Sequence, residues 1–119
     1  MIEKLFNLVN DRDYIIYLQK ELTKRPAISP LSGGEGEWDK AMFIKDELRK
    51  IKPDALEVIS APDPKAKNGL RPNIVAIYKA KKDTKKTIWF MSHIDVVPPG
   101  EISLWKSDPY EIVVDGDKI

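Results

Sequence analysis

The sequence predicts an α/β protein, a three-layer sandwich in which helices cover both faces of a mixed sheet. Three observations carry that expectation. Apolar residues in the first half recur at helical spacing, residues 55–59 alternate apolar with polar, and residues 73–79 and 87–92 are apolar almost without a break. Continuous apolar strands are those covered on both faces, as in layered α/β proteins.

The elements follow in order. Ile2, Leu5, Phe6, Leu8 and Val9 have helical spacing, and Asn10 and Asp11 interrupt them as cap-type residues. Ile15, Leu18 and Leu22 continue a stripe, with Lys20 and Lys24 in the last turns, where the helix dipole favours cations. Arg25-Pro26 ends this helix, because the residue before proline is pushed out of the helical region. A second helix is expected over residues 36–51, with Ala41, Ile44, Leu48 and Ile51 on its apolar side and Pro53 at its exit. Residues 55–59 read as a half-buried strand and residues 60–72 as a loop. Residues 73–79 and 87–92 are expected to lie side by side, antiparallel, across a short lysine-rich connection. Residues 111–114 read as a further strand, and Asp115-Gly116 as a hairpin turn. Only three residues follow that turn, so the chain, residues 1–119, is expected to be cut short.

Composition excludes several classes. The chain has 119 residues, a single-domain length, and no cysteine, so disulfide frameworks, thiolate metal sites and cysteine nucleophiles are ruled out. Twenty basic against nineteen acidic residues leave a net charge of +1, far from the excess typical of nucleic-acid binders. No apolar run approaches the roughly 20 residues of a membrane helix. A cytoplasmic protein with no nucleic-acid or membrane partner is the expectation. The dense charge run over residues 79–86 reads as a solvated hairpin tip rather than an anion-binding patch. Ser32-Gly33-Gly34-Glu35-Gly36 lacks the Gly-Lys-Ser/Thr ending of a phosphate loop, and reads as a loop entering a helix. Trp89 is expected in the core, and Trp105 either shapes a cleft or pins its loop.

The only histidine, His93, directly follows the most apolar run. Carboxyl ends of strands are where α/β proteins bind ligands. Asp95, two residues on, projects to the same side of an extended segment. A carboxylate so placed can orient a metal-bound imidazole and raise its basicity. On spacing alone, a hydrogen-bonded structural histidine is the commoner outcome.

The longer run decides between them. Ser92-His93-Ile94-Asp95-Val96-Val97-Pro98-Pro99-Gly100, then Trp105-Lys106-Ser107-Asp108-Pro109-Tyr110 and Asp115-Gly116-Asp117-Lys118-Ile119, closely resembles the zinc-dependent family of acetylornithine deacetylase, succinyl-diaminopimelate desuccinylase, aminoacylases and glutamate carboxypeptidases. Arg71-Pro72-Asn73-Ile74-Val75-Ala76 is similar to that family's second strand, and residues 22–29 and 35–48 to its first two helices. Ser92 stands where the family usually has glycine. The resemblance implies the amino-terminal part of a zinc-exopeptidase-like catalytic domain, with His93 a zinc ligand and Asp95 the catalytic carboxylate that orients it. It further implies two zinc ions, with cobalt able to substitute, and cleavage of amide bonds in N-acyl amino acids or small peptides by a zinc-activated water. The family's remaining ligands, its glutamate base and its lid domain have no counterpart here, so the fragment alone is expected to be inactive and prone to self-association. The alternative is a non-catalytic α/β interaction module that pairs with another chain; a basic RNA-binding domain is a distant third.

Overall fold

The computed structural model describes residues 11–82 and 85–119. These fall into two compact units, one formed by the chain up to Arg25 together with Pro99–Ile119, the other by Pro26–Pro98. The apolar spacing over residues 2–9 lies outside the described residues.

The first unit is built on helix α1, Arg12–Thr23. Its start is set locally: the Asp11 carboxylate accepts from the Tyr14 amide at 3.0 Å, satisfying one of the free N–H groups of the first turn. Near its end Glu21 accepts from Lys24 at 2.5 Å and from Arg25 at 2.7 Å. The Arg12 guanidinium donates to the Gly116 carbonyl, tying α1 to the far end of the sequence within this unit. The expected turn at Asp115-Gly116 is present. Asp115 and Lys118 exchange backbone bonds of 3.0 Å in both directions, and Gly116 holds φ +58°, a left-handed conformation that glycine adopts without penalty. The strand expected over residues 111–114 is not formed; pairing is confined to the single Asp115–Lys118 bridge. Trp105 pins its loop, donating from Nε1 to the Pro99 carbonyl at 2.9 Å.

The second unit carries helix α2, Trp38–Lys50, and two strands, β1 Ala55–Pro62 and β2 Leu70–Ile77. The strands pair antiparallel in register from Ala55–Ile77 to Pro62–Leu70, and α2 packs against both. The hairpin is closed by local bonds: Asp63 N–H to Gly69 O at 2.9 Å, Ala66 N–H to Asp63 O at 2.9 Å and Gly69 N–H to Ala66 O at 2.8 Å. At the other end Asp54 donates to Ile77 O at 2.8 Å, and its carboxylate accepts from the Lys79 amide at 2.6 Å. Ser32 closes a short 3-10 turn, Pro30–Ser32, and Gly33 to Gly36 continue as a loop toward α2, as expected.

Among the described residues the α/β class therefore holds as two α-helices and a two-stranded antiparallel sheet, but the expected pairing of residues 73–79 with 87–92 is overturned. β2 takes β1 as its neighbour, and residues 87–92 are not in a strand. Ile88, Trp89, Phe90 and Met91 are 75–94% exposed, so Trp89 is not a core residue. The physical reason is that a strand exists only through a ladder partner for its N–H and C=O groups. Unbroken apolarity reports what would cover a segment, not whether a neighbour is at hand. The described core is correspondingly small: Ala27, Ala41 and Ala66 are its buried apolar residues, and no large side chain is fully enclosed. No helix among the described residues is long and apolar enough to cross a membrane.

Candidate functional site

The site segment is anchored from the sequence around it. The Val96 amide donates to the Ala27 carbonyl at 3.1 Å, and Ile28 and Val96 form a parallel bridge. Ala27 is wholly buried, so the backbone beside Asp95 is fastened to the interior of its unit. The Ala27 loop is itself held, since the Gly36 amide donates to Ile28 O at 2.9 Å just before α2 begins.

His93 and Asp95 are brought together as their spacing implies. His93 Nδ1 lies 3.0 Å from the Asp95 carbonyl oxygen and 3.2 Å from Asp95 Oδ1. A backbone carbonyl can only accept, so Nδ1 carries the hydrogen and donates to Asp95. In the neutral ring Nε2 then keeps its lone pair, which is the form that binds a metal. The imidazole is largely exposed and the Asp95 carboxylate about half exposed, so Nε2 is open to solvent or to another part of a larger site.

Behind this pair lies a charged cluster that sequence reading did not single out. Glu37, just ahead of α2, is buried, and its carboxylate takes a two-pronged grip from Arg71 of β2, the Arg71 Nε bond measuring 3.0 Å. That bond holds the Arg71 guanidinium above its ordinary pKa, and the charges of Glu37, Asp63 and Asp95 act in the same direction. Lys40 is also buried. Loss of water around its ammonium pushes its pKa down, and the negative charge of Asp95 partly restores it. The acid–base spacing Glu37-x-x-Lys40, which places both on one face of a helix, together with an arginine opening β2, is the signal that marks the cluster.

A metal centre needs more than this chain brings together. Among the described residues no group of three or more histidine, cysteine, aspartate or glutamate side chains converges. The donor set fits one imidazole ligand and its orienting carboxylate, not the three protein ligands of a catalytic zinc. No catalytic step is derived for the isolated chain.

Relatives carry the family that the motif resembles. The chain is 37% identical over 111 residues to an uncharacterized metallohydrolase of Methanocaldococcus jannaschii, covering 87% of this chain and 26% of that protein. It is 33% identical over 103 residues to an uncharacterized metallohydrolase of Methanococcus maripaludis, covering 83% and 24%. A succinyl-diaminopimelate desuccinylase of Methylocella silvestris is 27% identical over 104 residues, covering 87% and 24%. The chain thus spans about a quarter of the length of the curated relatives it matches. No protein-family model and no solved structure matches it.

Proposed function

We propose that this chain, a relative of metallohydrolases and succinyl-diaminopimelate desuccinylases over most of its own length, supplies a metal ligand, His93, and its orienting carboxylate, Asp95, to a metal-dependent amide hydrolase. The observation that carries the proposal is the placement of His93 Nδ1 against two oxygens of Asp95, which leaves Nε2 as the free donor. Zinc, or cobalt in its place, would supply Lewis-acid polarisation of the scissile carbonyl. The work of this chain is narrower. Asp95 holds the Nδ1 hydrogen, fixes the plane of the ring and raises the basicity of Nε2. Substrates of the N-acyl amino acid or small-peptide class follow from the relatives' family and not from any pocket of this chain.

The remaining ligands and the base belong, on this reading, to further residues of a longer protein, and the 119 residues alone do not hydrolyse amides. The same reading gives residues 87–92 their partners. They become an inner strand of a three-layer sandwich with a mixed sheet when neighbouring strands are supplied, which accounts for four consecutive exposed apolar side chains ending just before the site. That exposure equally favours the second reading, an interaction module that pairs with another chain and has no chemistry.

Metal content separates the two. The test grafts this chain in place of the matched quarter of the Methanocaldococcus jannaschii relative and measures bound metal after dialysis, with and without His93→Ala. The hydrolase reading expects a metal-containing chimera that loses about one equivalent on His93→Ala, and only weak zinc binding by the 119-residue chain alone. A chimera whose metal content is indifferent to His93→Ala sinks the site assignment. So does tight stoichiometric zinc binding by the isolated chain that survives the same substitution.

A further inference from the structure

We propose that Arg71 and Glu37 are positioning residues for the His93–Asp95 pair: their two-pronged ion pair fixes the start of α2 on β2 and, through the Gly36–Ile28 and Val96–Ala27 backbone bonds, holds the segment that carries Asp95. The inference rests on the reading of His93 and Asp95 given above, and adds to it two residues from other elements.

Three observations carry it. The first is an unbroken run of bonds inside one compact unit. Arg71, the second residue of β2, donates from Nε to Glu37 at 3.0 Å and from Nη2 to the other carboxylate oxygen. The adjoining residue, Gly36, donates its amide to Ile28 O at 2.9 Å. Ile28 is bridged to Val96, and the Val96 amide donates to Ala27 O at 3.1 Å. Val96 follows Asp95 in the chain, and the oxygens of Asp95 receive the Nδ1 hydrogen of His93. The second is where Glu37 spends its carboxylate. It stands just before α2, where an acidic side chain ordinarily accepts from the helix's own amides. It makes no such bond, and its side chain is 7% exposed and turned onto Arg71. A buried ion pair is a weak source of net stability, but a forked one is strongly directional. The third is that packing cannot set this geometry. The buried apolar residues among those described are three alanines, and no large side chain is fully enclosed. Directional polar bonds therefore decide where the Ala27–Ile28 backbone lies, and with it Val96. Lys67 supplies the contrast: its ammonium reaches Asp39, also in the first turn of α2, at 2.6 Å, but both partners are exposed.

The test uses the full 119-residue chain labelled with ¹⁵N and reads two quantities. One is hydrogen exchange of the Val96 amide relative to that of Asp54, which donates to Ile77 O at 2.8 Å at the open end of the hairpin. The other is the tautomer of His93, by long-range proton–nitrogen correlation at one pH above the ordinary histidine range; wild type is expected to show the Nδ1–H form. Arg71→Lys keeps the charge and loses the fork. It should speed Val96 exchange relative to Asp54 by about ten-fold or more, the effect of losing one charged hydrogen bond, and lower the Nδ1–H share of His93. Lys67→Met, which cuts the exposed pair, should leave both quantities within about two-fold of wild type. Equal acceleration at Val96 and Asp54, a Lys67→Met chain that matches Arg71→Lys, or an Arg71→Lys chain with wild-type Val96 exchange or wild-type tautomer ratio overturns the proposal and leaves the His93–Asp95 reading standing. Wild type in the Nε2–H form overturns that reading and this one with it. If Arg71→Lys does not fold, the double variant Glu37→Gln with Arg71→Met, which leaves no unpaired buried charge, is read in its place. If neither folds, the pair serves the fold and the proposal falls.

Discussion

Gly34→Ala tests how the site segment is held. A Cβ at position 34 would lie 2.2 Å from the Ile28 carbonyl oxygen, 2.6 Å from Ile28 Cβ and 2.7 Å from the Ile28 carbonyl carbon. Two of these atoms are backbone, so no side-chain rotation relieves the contact, and the loop must open by on the order of 1 Å to reach ordinary packing distance. The opening works against two backbone bonds, Gly36 N–H to Ile28 O at 2.9 Å and Gly34 N–H to Ser29 O at 3.1 Å. Losing or weakening them costs about 0.5–1.5 kcal/mol each, and residual overpacking adds about 1–3 kcal/mol. A total of about 2–6 kcal/mol is expected. For a chain of this length, at about 2.1 cal/mol/K per residue, that lowers Tm by roughly 8–24 °C. Gly33→Ala is the control. Nothing lies within 4 Å of its Cβ, but φ is +82°, so it pays only the left-handed penalty of about 1–2 kcal/mol. Thermal unfolding by circular dichroism gives the ranking, and Val96 amide exchange reports whether the Ala27 contact survives. A Gly34→Ala chain within 2–3 °C of wild type (roughly 0.5–1 kcal/mol), or more stable than Gly33→Ala, would refute the packing argument.

Three further outcomes are expected. Lys52, just past the end of α2, holds φ +51°, so Lys52→Gly should raise stability by about 0.5–1 kcal/mol in denaturant titration, and a loss would show that its side chain contributes more than its backbone strain costs. The Glu21 carboxyl is held below its ordinary pKa, chiefly by the Lys24 hydrogen bond and then by Arg25. The unfolded chain therefore takes up that proton first, so the stabilisation is complete above the ordinary carboxylate range and is lost as pH falls through the folded value; a pH series in which Glu21→Gln shows the same acid slope as wild type would contradict it. The exposed run Ile88 to Met91 should drive self-association, seen by light scattering and reversed by Phe90→Lys, whereas a wild-type monomer at high concentration with no binding of an apolar dye would count against it.

What was legible in the sequence was local. Asp11 as a cap, Arg25-Pro26 as a stop and Pro53 as an exit each act within a turn of the residues they govern. α1 starts just after Asp11 and ends before Arg25-Pro26, and α2 ends at Lys50, ahead of Pro53, although it starts at Trp38 and not at residue 36 as expected. His93 and Asp95 meet for the same kind of reason, because two residues of extended backbone return a side chain to the same side. Strand pairing is not local, and there the reading failed. The apolar runs over residues 73–79 and 87–92 suggest pairing with each other, whereas the hairpin forms across residues 60–72, a stretch that reads as a loop but contains the turn signal Asn68-Gly69. Asn68 at φ +59° and Gly69 at φ +68° supply the left-handed turn that folds β2 back on β1. The Glu37–Lys40–Arg71 cluster is only half legible for a related reason: the Glu37-x-x-Lys40 spacing is local, but its meeting with Arg71 is not. Its members lie up to 34 residues apart, and only the packing of α2 on β2 brings them together.

The smallness of the core and the exposure of residues 87–92 are two sides of one fact. Apolar burial contributes about 25 cal/mol per Å², and three alanines enclose little area. Conformational entropy opposing the fold grows with every ordered residue, whether or not that residue finds cover. Meanwhile isoleucine, tryptophan, phenylalanine and methionine stand consecutively in water at positions 88–91, each able to contribute about 1.5–3 kcal/mol if buried. Among the described residues, the largest unrealised stabilisation therefore lies in the very segment that leads into His93. Anything that covered that segment would also fix the approach to the site, so stability and site geometry would be set together. Covering it while leaving Nε2 of His93 open is the arrangement in which the chain's apolar surface and its one exposed imidazole are both used.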